Sequence, residues 1–369
     1  MKPELVSRIK DRIRREGRIT FEAFMSMALY EPRLGYYASP ETEIGRAGDF
    51  YTSPHLHPAF GWMMARQLEE MWDFMGKGPF TVVEQGPGKG WLARDILDHL
   101  KGREIYGNLG YCLCEVNPDL AKSQRGLLIE HKERLLWIES LAAVGPVKGV
   151  FLSNELLDAF PVHVVEKRNG RFMEVYAALD GDDFVEILGP ASTPGIEKYF
   201  LDFPPEEELP EGYRTEVNLA MKGWLKEVAD ALEEGFVITV DYGWPAWEYL
   251  SPERNRGTLL GYFRHRVTEN FFENIGEQDM TAHVNFSALK KWGEDVGLRC
   301  LGFCPQGTYL VSAGIDELME GLSQDGILKI KGLLLPGTMG ETHKIMIQYK
   351  GKGEPDLRGF RLRNLAGRL

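Results

Sequence analysis

The chain has 369 residues, 43% of them apolar and 27% charged, with a formal net charge of −12. That is enough for a large core in one elaborated domain or two, and the net acidity argues against nucleic acid as the main partner while leaving room for a cationic one. No run approaches the roughly eighteen apolar residues of a membrane helix, and no short apolar stretch precedes a small-residue cleavage site, so neither membrane insertion nor secretion is expected.

The first predicted element is the helix PELVSRIKDRIRREG, with Leu5, Ile9 and Ile13 on one face. It is Arg-rich and amphipathic, like an organelle transit peptide. However, Glu4, Asp11 and Glu16 break the acid-poor pattern of such peptides, and a cytoplasmic protein is expected. Thr20 is placed to cap FEAFMSMALY, and Phe60, Met63, Met64, Leu68, Met71 and Met75 recur at helical spacing up to Gly76. Between them, EPRLGYYASPETEIGRAGDFYTSPHLHP is too long for a plain connection and reads as a lid.

Strands and helices then alternate: FTVVEQ, WLARDILDHL, YCLCEV, PDLAKSQRGLLIEH, RLLWIES and VKGVFLSNE. Such alternation predicts a parallel sheet covered on both faces. Residues 162–190 read instead as antiparallel strands with turns at Asn169-Gly170 and Gly181, followed by the acidic loop FPPEEELPEG. A helix over Glu216 to Leu232 leads to the buried strand GFVITVDYG, and a polar stretch from Trp244 to Asn285 precedes the helix FSALKKWGEDVG. LRCLGFC, GTYLVSAG and HKIMIQYK are expected as closing strands. Cys112, Cys114, Cys300 and Cys304 sit inside strand-like runs, where buried reduced thiols are expected rather than zinc ligands.

The glycine-rich turn VEQGPGKGW, Val83 to Trp91, follows a strand and opens a helix. A dinucleotide site needs a third glycine for close helix packing, and Trp91 stands there; a phosphate loop needs Ser or Thr after Gly-Lys, and Lys89 is followed by Gly90. S-adenosylmethionine fits better. Its carboxylate suits a helix N-terminus, glycines let the backbone approach, and acids at strand ends attract its cationic and hydroxyl groups. Glu84, Gly86, Gly88 and Gly90 are therefore expected to bind it, with Glu115 at the end of YCLCEV on its ribose.

Six ordered blocks, YEPRLGYY, GDFYTSP, EQGPGKGWLARDIL, LSNELLDAFPVH, VITVDYG and GTLLGYFRHRVTEN through GEQDMTAHVNFSAL, resemble the MidA family of class I methyltransferases. That group includes mitochondrial complex I assembly factor 7, an arginine methyltransferase. Gln85, Lys89, Trp91 and His55 depart from the family's usual residues. The resemblance implies an S-adenosylmethionine-dependent enzyme with a doubly wound, mostly parallel seven-stranded Rossmann-like methyltransferase sheet, an N-terminal helical cap and inserted β and loop segments. The division expected is cap and lid over 1–77, core over 78–161, insertion over 162–235, core again over 236–350 with a loop insertion near 244–285, and a tail over 351–369.

Asn154, Glu155 and Asp158 in SNELLDAFP fall at a strand end on the ligand edge, where two carboxylates would hold a guanidinium; Glu155 and Asp158 are the first catalytic candidates and Asn154 a cofactor contact. Asp158 has a structural alternative as a helix cap or ion-pair partner. Thr52 and Ser53 in the lid are expected on the cofactor, and Asp49 beside them on the substrate, against turn and cap chemistry as the plainer reading. Asp241 and Tyr242 end the returning strand and are expected to touch substrate. His265 is a candidate base, although a lone histidine is more often structural. No metal site is expected from His55 and His57 alone. The expected partner is a protein with an accessible arginine, with a homodimer left open. The competing function is a non-catalytic assembly factor that binds a client protein through the same fold.

Overall fold

The computed structural model describes residues 1–39, 53–319 and 322–369. From the N-terminus run helix α1 (Pro3–Glu16), the short strand β1 (Ile19–Thr20), α2 (Phe21–Tyr30) and α3 (Ala59–Phe74). They are followed by β2 (Phe80–Gln85), α4 (Trp91–Leu100), β3 (Leu109–Cys114), α5 (Pro118–Leu127), β4 (Leu135–Ile138) and β5 (Val147–Asn154). Next come β6 (His163–Arg168), β7 (Arg171–Asp180), β8 (Asp183–Gly189), β9 (Arg214–Val217), α6 (Ala220–Ala231) and β10 (Leu232–Trp244). The chain continues through β11 (Leu260–Phe263), β12 (Arg266–Thr268), β13 (Asp279–Thr281), β14 (Val284–Asn285) and α7 (Phe286–Asp295). It closes with β15 (Arg299–Pro305), α8 (Gln306–Ser312), α9 (Gln324–Leu334) and β16 (His343–Lys350).

The main sheet has the order β15-β16-β10-β5-β2-β3-β4, with β14 extending the end of β10. Six of these seven strands point the same way, and β16 enters antiparallel between β10 and β15. Because β2, β3 and β4 run one way across the sheet and β5 and β10 the other, the order reverses between β2 and β5. Ligands bind such sheets outside the carboxyl ends of the strands at that reversal. Buried strands are apolar on both faces: Val82, Val150 and Ile238 point to one core, Val83, Phe151 and Val237 to the other. Helices α3 and α4 cover the first face, α6 and α7 the second.

A second, antiparallel sheet joins β1, β6, β7, β8 and β9, and β11, β12 and β13 form a third. Helices α1 and α2 bury Leu5, Ile9, Ile13, Phe21 and Phe24 against the second sheet, where Val164, Val175 and Ala177 meet them. Thr20 caps α2 by accepting from the Ala23 amide at 3.0 Å.

Two elements differ from expectation. GTYLVSAG forms helix α8 rather than a strand: Gln306, Gly307, Tyr309 and Leu310 are buried while Val311 is exposed, a helical rather than a two-residue period. Gly307 fits because a Cβ there would stand 2.3 Å from the Leu334 carbonyl oxygen. The helix expected from Glu216 begins only at Ala220, because Thr215 to Val217 pair with β6 and Asn218 accepts from the Met221 amide at 3.1 Å. All four cysteines are free, three of them buried. Among the described residues no helix is long and apolar enough to cross a membrane.

Candidate active site

At the reversal lies a cavity of about 640 Å³, open along the ends of β2, β3 and β5. Its first wall is the turn after β2. Gly86, Gly88 and Gly90 have φ of +67°, +53° and +80°, the left-handed region that only glycine enters cheaply. A Cβ on Gly86 would lie 3.0 Å from Leu156 Cδ1, and one on Gly90 3.2 Å from Gln124 Cγ. Gly86 and Gly88 face the cavity, while Gly90 is buried behind them and opens α4.

Glu84 closes this wall from below. It is buried and accepts a hydrogen bond from the Tyr111 hydroxyl at 2.7 Å, and burial outweighs that bond, raising its carboxyl to about 7. Glu115, just past β3, accepts from the Asn117 amide at 2.8 Å and from Gln124 Nε2 at 3.1 Å; burial raises its carboxyl as well. The same Gln124 Nε2 donates to the Gly88 carbonyl at 2.7 Å, and Trp137 Nε1 donates to Gln124 Oε1 at 2.9 Å. One amide, its orientation set by Trp137, therefore locks the glycine turn to the acid beside it. Glu139, Ser140 and Leu141 after β4 complete this end.

The opposite wall is the loop after β5. Glu155 has φ +52°, unusual for a non-glycine residue, and is held there by its amide bonding the Val240 carbonyl at 2.8 Å. Its Oε1 lies 3.3 Å from Asn154 Nδ2, 3.4 Å from the Ser53 amide and 3.5 Å from His343 Nε2. Asp158 is buried; its Oδ2 accepts from the Tyr242 hydroxyl, and its Oδ1 has no partner among the described residues. Burial, against the Tyr242 bond and with help from nearby Glu155, raises this carboxyl to about 7. Tyr30, Tyr37 and Asp279 close the cavity above; Tyr37 donates to Asp279 at 2.8 Å and Tyr30 to the Ala159 carbonyl at 2.9 Å. Among the described residues, seven that line the cavity are acidic and one, Lys89, is basic.

The structure thus gathers Glu84, Gly86, Gly88, Glu115, Asn154, Glu155 and Asp158 around one space. Three other candidates fall behind it. Asp241 is fully buried and accepts from the amides of Leu157, Asp158 and Tyr242, so it holds the loop after β5 in shape rather than facing a substrate. Tyr242 reaches the site only through Asp158. The Ser53 hydroxyl is directed to Gln306 Oε1 at 2.9 Å. His265 is exposed at the β11–β12 turn, where it and Arg264 adopt left-handed φ, and it does not line the cavity. Asp49 and Thr52 lie outside the described residues.

Residues 63–304 match the family model described as "Putative S-adenosyl-L-methionine-dependent methyltransferase". The chain belongs to this family. Its cofactor is S-adenosylmethionine, and the donor set of the cavity, backbone at Gly86 and Gly88 between the acids Glu84 and Glu115, suits the charges of that molecule. A solved COG1565 superfamily member from Burkholderia thailandensis, bound to S-adenosyl-homocysteine, superposes with a TM-score of 0.90 at 28% identity over 99% of this chain and 96% of that one. Two curated relatives are each named a mitochondrial protein arginine methyltransferase: the NDUFAF7 homolog of Drosophila melanogaster and NDUFAF7 of Danio rerio. They are 26% and 27% identical over 94% and 91% of this chain, and 85% of each relative. The resemblance to the MidA group read from the sequence holds.

The expected cytoplasmic location is overturned, since the curated relatives are mitochondrial proteins. The acids that suggested it, Glu4, Asp11 and Glu16, pair with Arg8, Arg14 and Arg12 on the outer face of the folded α1. They belong to a docked helix, and the charge pattern of a docked helix is set by its packing rather than by a compartment.

Proposed function

We propose that this chain methylates the guanidinium group of an arginine side chain in a protein substrate. The observation that carries this reading is the cavity wall, where the described residues set seven acidic side chains against one ammonium and leave a buried Asp158 oxygen without a donor. A buried acceptor left unpaired costs free energy until a donor arrives, and a guanidinium brings five N–H groups in a planar fork that two carboxylates can share. The names of the curated relatives support the same acceptor.

In this reading Glu84 attracts the cofactor's ammonium, the backbone of Gly86 and Gly88 lies along its amino-acid end, Glu115 takes the ribose hydroxyls and Asn154 flanks it. When bound, S-adenosylmethionine supplies an electrophilic methyl group on a sulfonium. Glu155 and Asp158 hold and orient the guanidinium, so that one nitrogen faces the methyl group in line; alignment of this kind supplies much of the rate gain in a displacement. The arriving cation pulls the raised Asp158 carboxyl back to its ionised form, so substrate binding releases a proton. The Tyr30 and Tyr37 rings and the Phe160 side chain keep water from the reacting atoms.

The test is incubation with tritiated S-adenosylmethionine and lysate proteins, followed by acid hydrolysis and amino-acid analysis. Label in methylarginine is expected. Label in another residue overturns the acceptor, and binding of the cofactor without any transfer favours a client-binding protein.

A further inference from the structure

Methylation of a guanidinium sets one proton free per turnover, because the product remains a cation while the sulfonium loses its charge. We infer that His343 receives this proton from Glu155 and passes it to solvent at Thr342, an inference that rests on the reading of Glu155 as the guanidinium's partner.

His343 opens β16 directly opposite Tyr242 of β10, which places it behind the loop carrying Glu155 and Asp158. Its side chain is buried, with Nε2 3.5 Å from Glu155 Oε1 and Nδ1 3.1 Å from Thr342 Oγ1. The Thr342 hydroxyl has one proton, and it is directed to the Thr338 carbonyl at 3.1 Å. With that proton on the Thr338 carbonyl, Thr342 Oγ1 accepts from Nδ1; in this tautomer, which the proposal assigns to neutral His343, the bare lone pair of Nε2 turns toward Glu155. Nε2 has no hydrogen-bond partner among the described residues. Two acceptors, a carboxylate oxygen and an imidazole nitrogen, thus face each other across 3.5 Å in a buried place. That arrangement is frustrated until one proton enters it, and one proton is what the reaction releases.

The transfer balances. A guanidinium N–H bond breaks as the proton moves to the Glu155 carboxylate, and from there it forms an Nε2–H bond. The imidazolium then sheds its Nδ1 proton along the hydrogen bond to Thr342, which is exposed, and water takes it; once product leaves, proton exchange with water at both ring nitrogens returns the Nδ1–H form. The groups around His343 are Glu155, Asp158 and Tyr242 on the cavity side and His283 and Lys344 behind it. His343 touches neither substrate nor cofactor in this scheme and is a positioning and proton-carrying residue.

Two measurements test it on the full chain. The first needs neither cofactor nor substrate: ¹⁵N spectra of the imidazoles across pH, in the natural protein and in Glu155→Gln. The expected result is a Nδ1–H tautomer for neutral His343, with a Nε2 resonance that moves when the carboxylate facing it is replaced by an amide that can donate to it. A Nε2–H tautomer or an unmoved Nε2 resonance overturns the inference whatever the acceptor proves to be. The second is label transfer by His343→Gln and His343→Asn. Each is expected to be slowed about tenfold or more with unchanged affinity for S-adenosyl-homocysteine, and added imidazole is expected to restore transfer by His343→Ala. Transfer by the Gln and Asn variants at the natural rate, or an Ala variant that imidazole does not restore, sinks it. Absence of methylarginine with the expected imidazole tautomer removes the arginine reading alone.

Discussion

The two ends of the cavity are built in opposite ways. The cofactor end comes from one continuous run, in which Glu84, the glycine turn, Glu115 and Gln124 follow one another along β2, α4, β3 and α5. The acceptor end brings together Tyr30 and Tyr37, Glu155 and Asp158, Tyr242, Asp279 and His343 from widely separated stretches. A ligand shared by a whole family can be bound by a local motif, whereas the chemistry at the acceptor depends on how distant segments meet. The comparison makes a sharp claim: substitutions at one end should leave the other intact.

The largest effect is expected at the glycine turn. Gly88→Val places a branched side chain at φ +53° and should weaken S-adenosyl-homocysteine binding about 100-fold or more by calorimetry. The ¹⁵N signature of the His343 tautomer should be unchanged. Next, Asp158→Asn removes one of the two carboxylates that hold the guanidinium. Label transfer should fall about 100-fold while affinity for S-adenosyl-homocysteine stays within about twofold. A parallel loss of cofactor affinity would show that the two ends are one unit.

The third prediction concerns pH. Glu84 and Asp158 are both raised to about 7 by burial, so the native state keeps their protons where the unfolded chain has lost them. Stability from these groups is therefore full below the ordinary carboxyl range and is lost as pH rises through about 7; the melting temperature of the unliganded protein should decline across that window. Cofactor affinity should run the other way, tightening about tenfold from pH 6 to 8 as Glu84 ionises, and Glu84→Gln should flatten that rise. The smallest effect is expected for Gln124→Ala, which leaves every wall acid in place but frees the Gly88 carbonyl and Glu115 from their shared donor. Cofactor affinity should drop about threefold to tenfold, consistent with one or two net hydrogen bonds.

The same contrast explains what could be read in advance. Strand and helix alternation from Phe80 to Asn154 announced the parallel sheet, because buried strands and amphipathic helices leave different periods, and GPGKG announced the turn. Gln124 was hidden in a polar helix, where nothing distinguishes a solvated glutamine from one that locks a loop. Asp241 was read as a ligand contact because it ends a strand on the right edge; three backbone amides claim it instead, and such bonds exist only once the loop after β5 has folded over it. The histidine near the carboxylates is not His265, in the basic run RHR, but His343, at the head of an apolar strand where no local signal marks it. GTYLVSAG misled because β-branched and aromatic residues suit strands, while its burial against α9 follows a helical period.

The most direct measurement is a crystal structure with S-adenosyl-homocysteine and methylguanidine, the smallest probe of the acceptor. The nucleoside should lie over Gly86 and Gly88 with its ribose on Glu115, and the guanidinium should bridge Glu155 and Asp158 beside the sulfur. Methylguanidine bound away from these two carboxylates, or absent at saturating concentration while the nucleoside is in place, would contradict the assignment of this cavity to arginine.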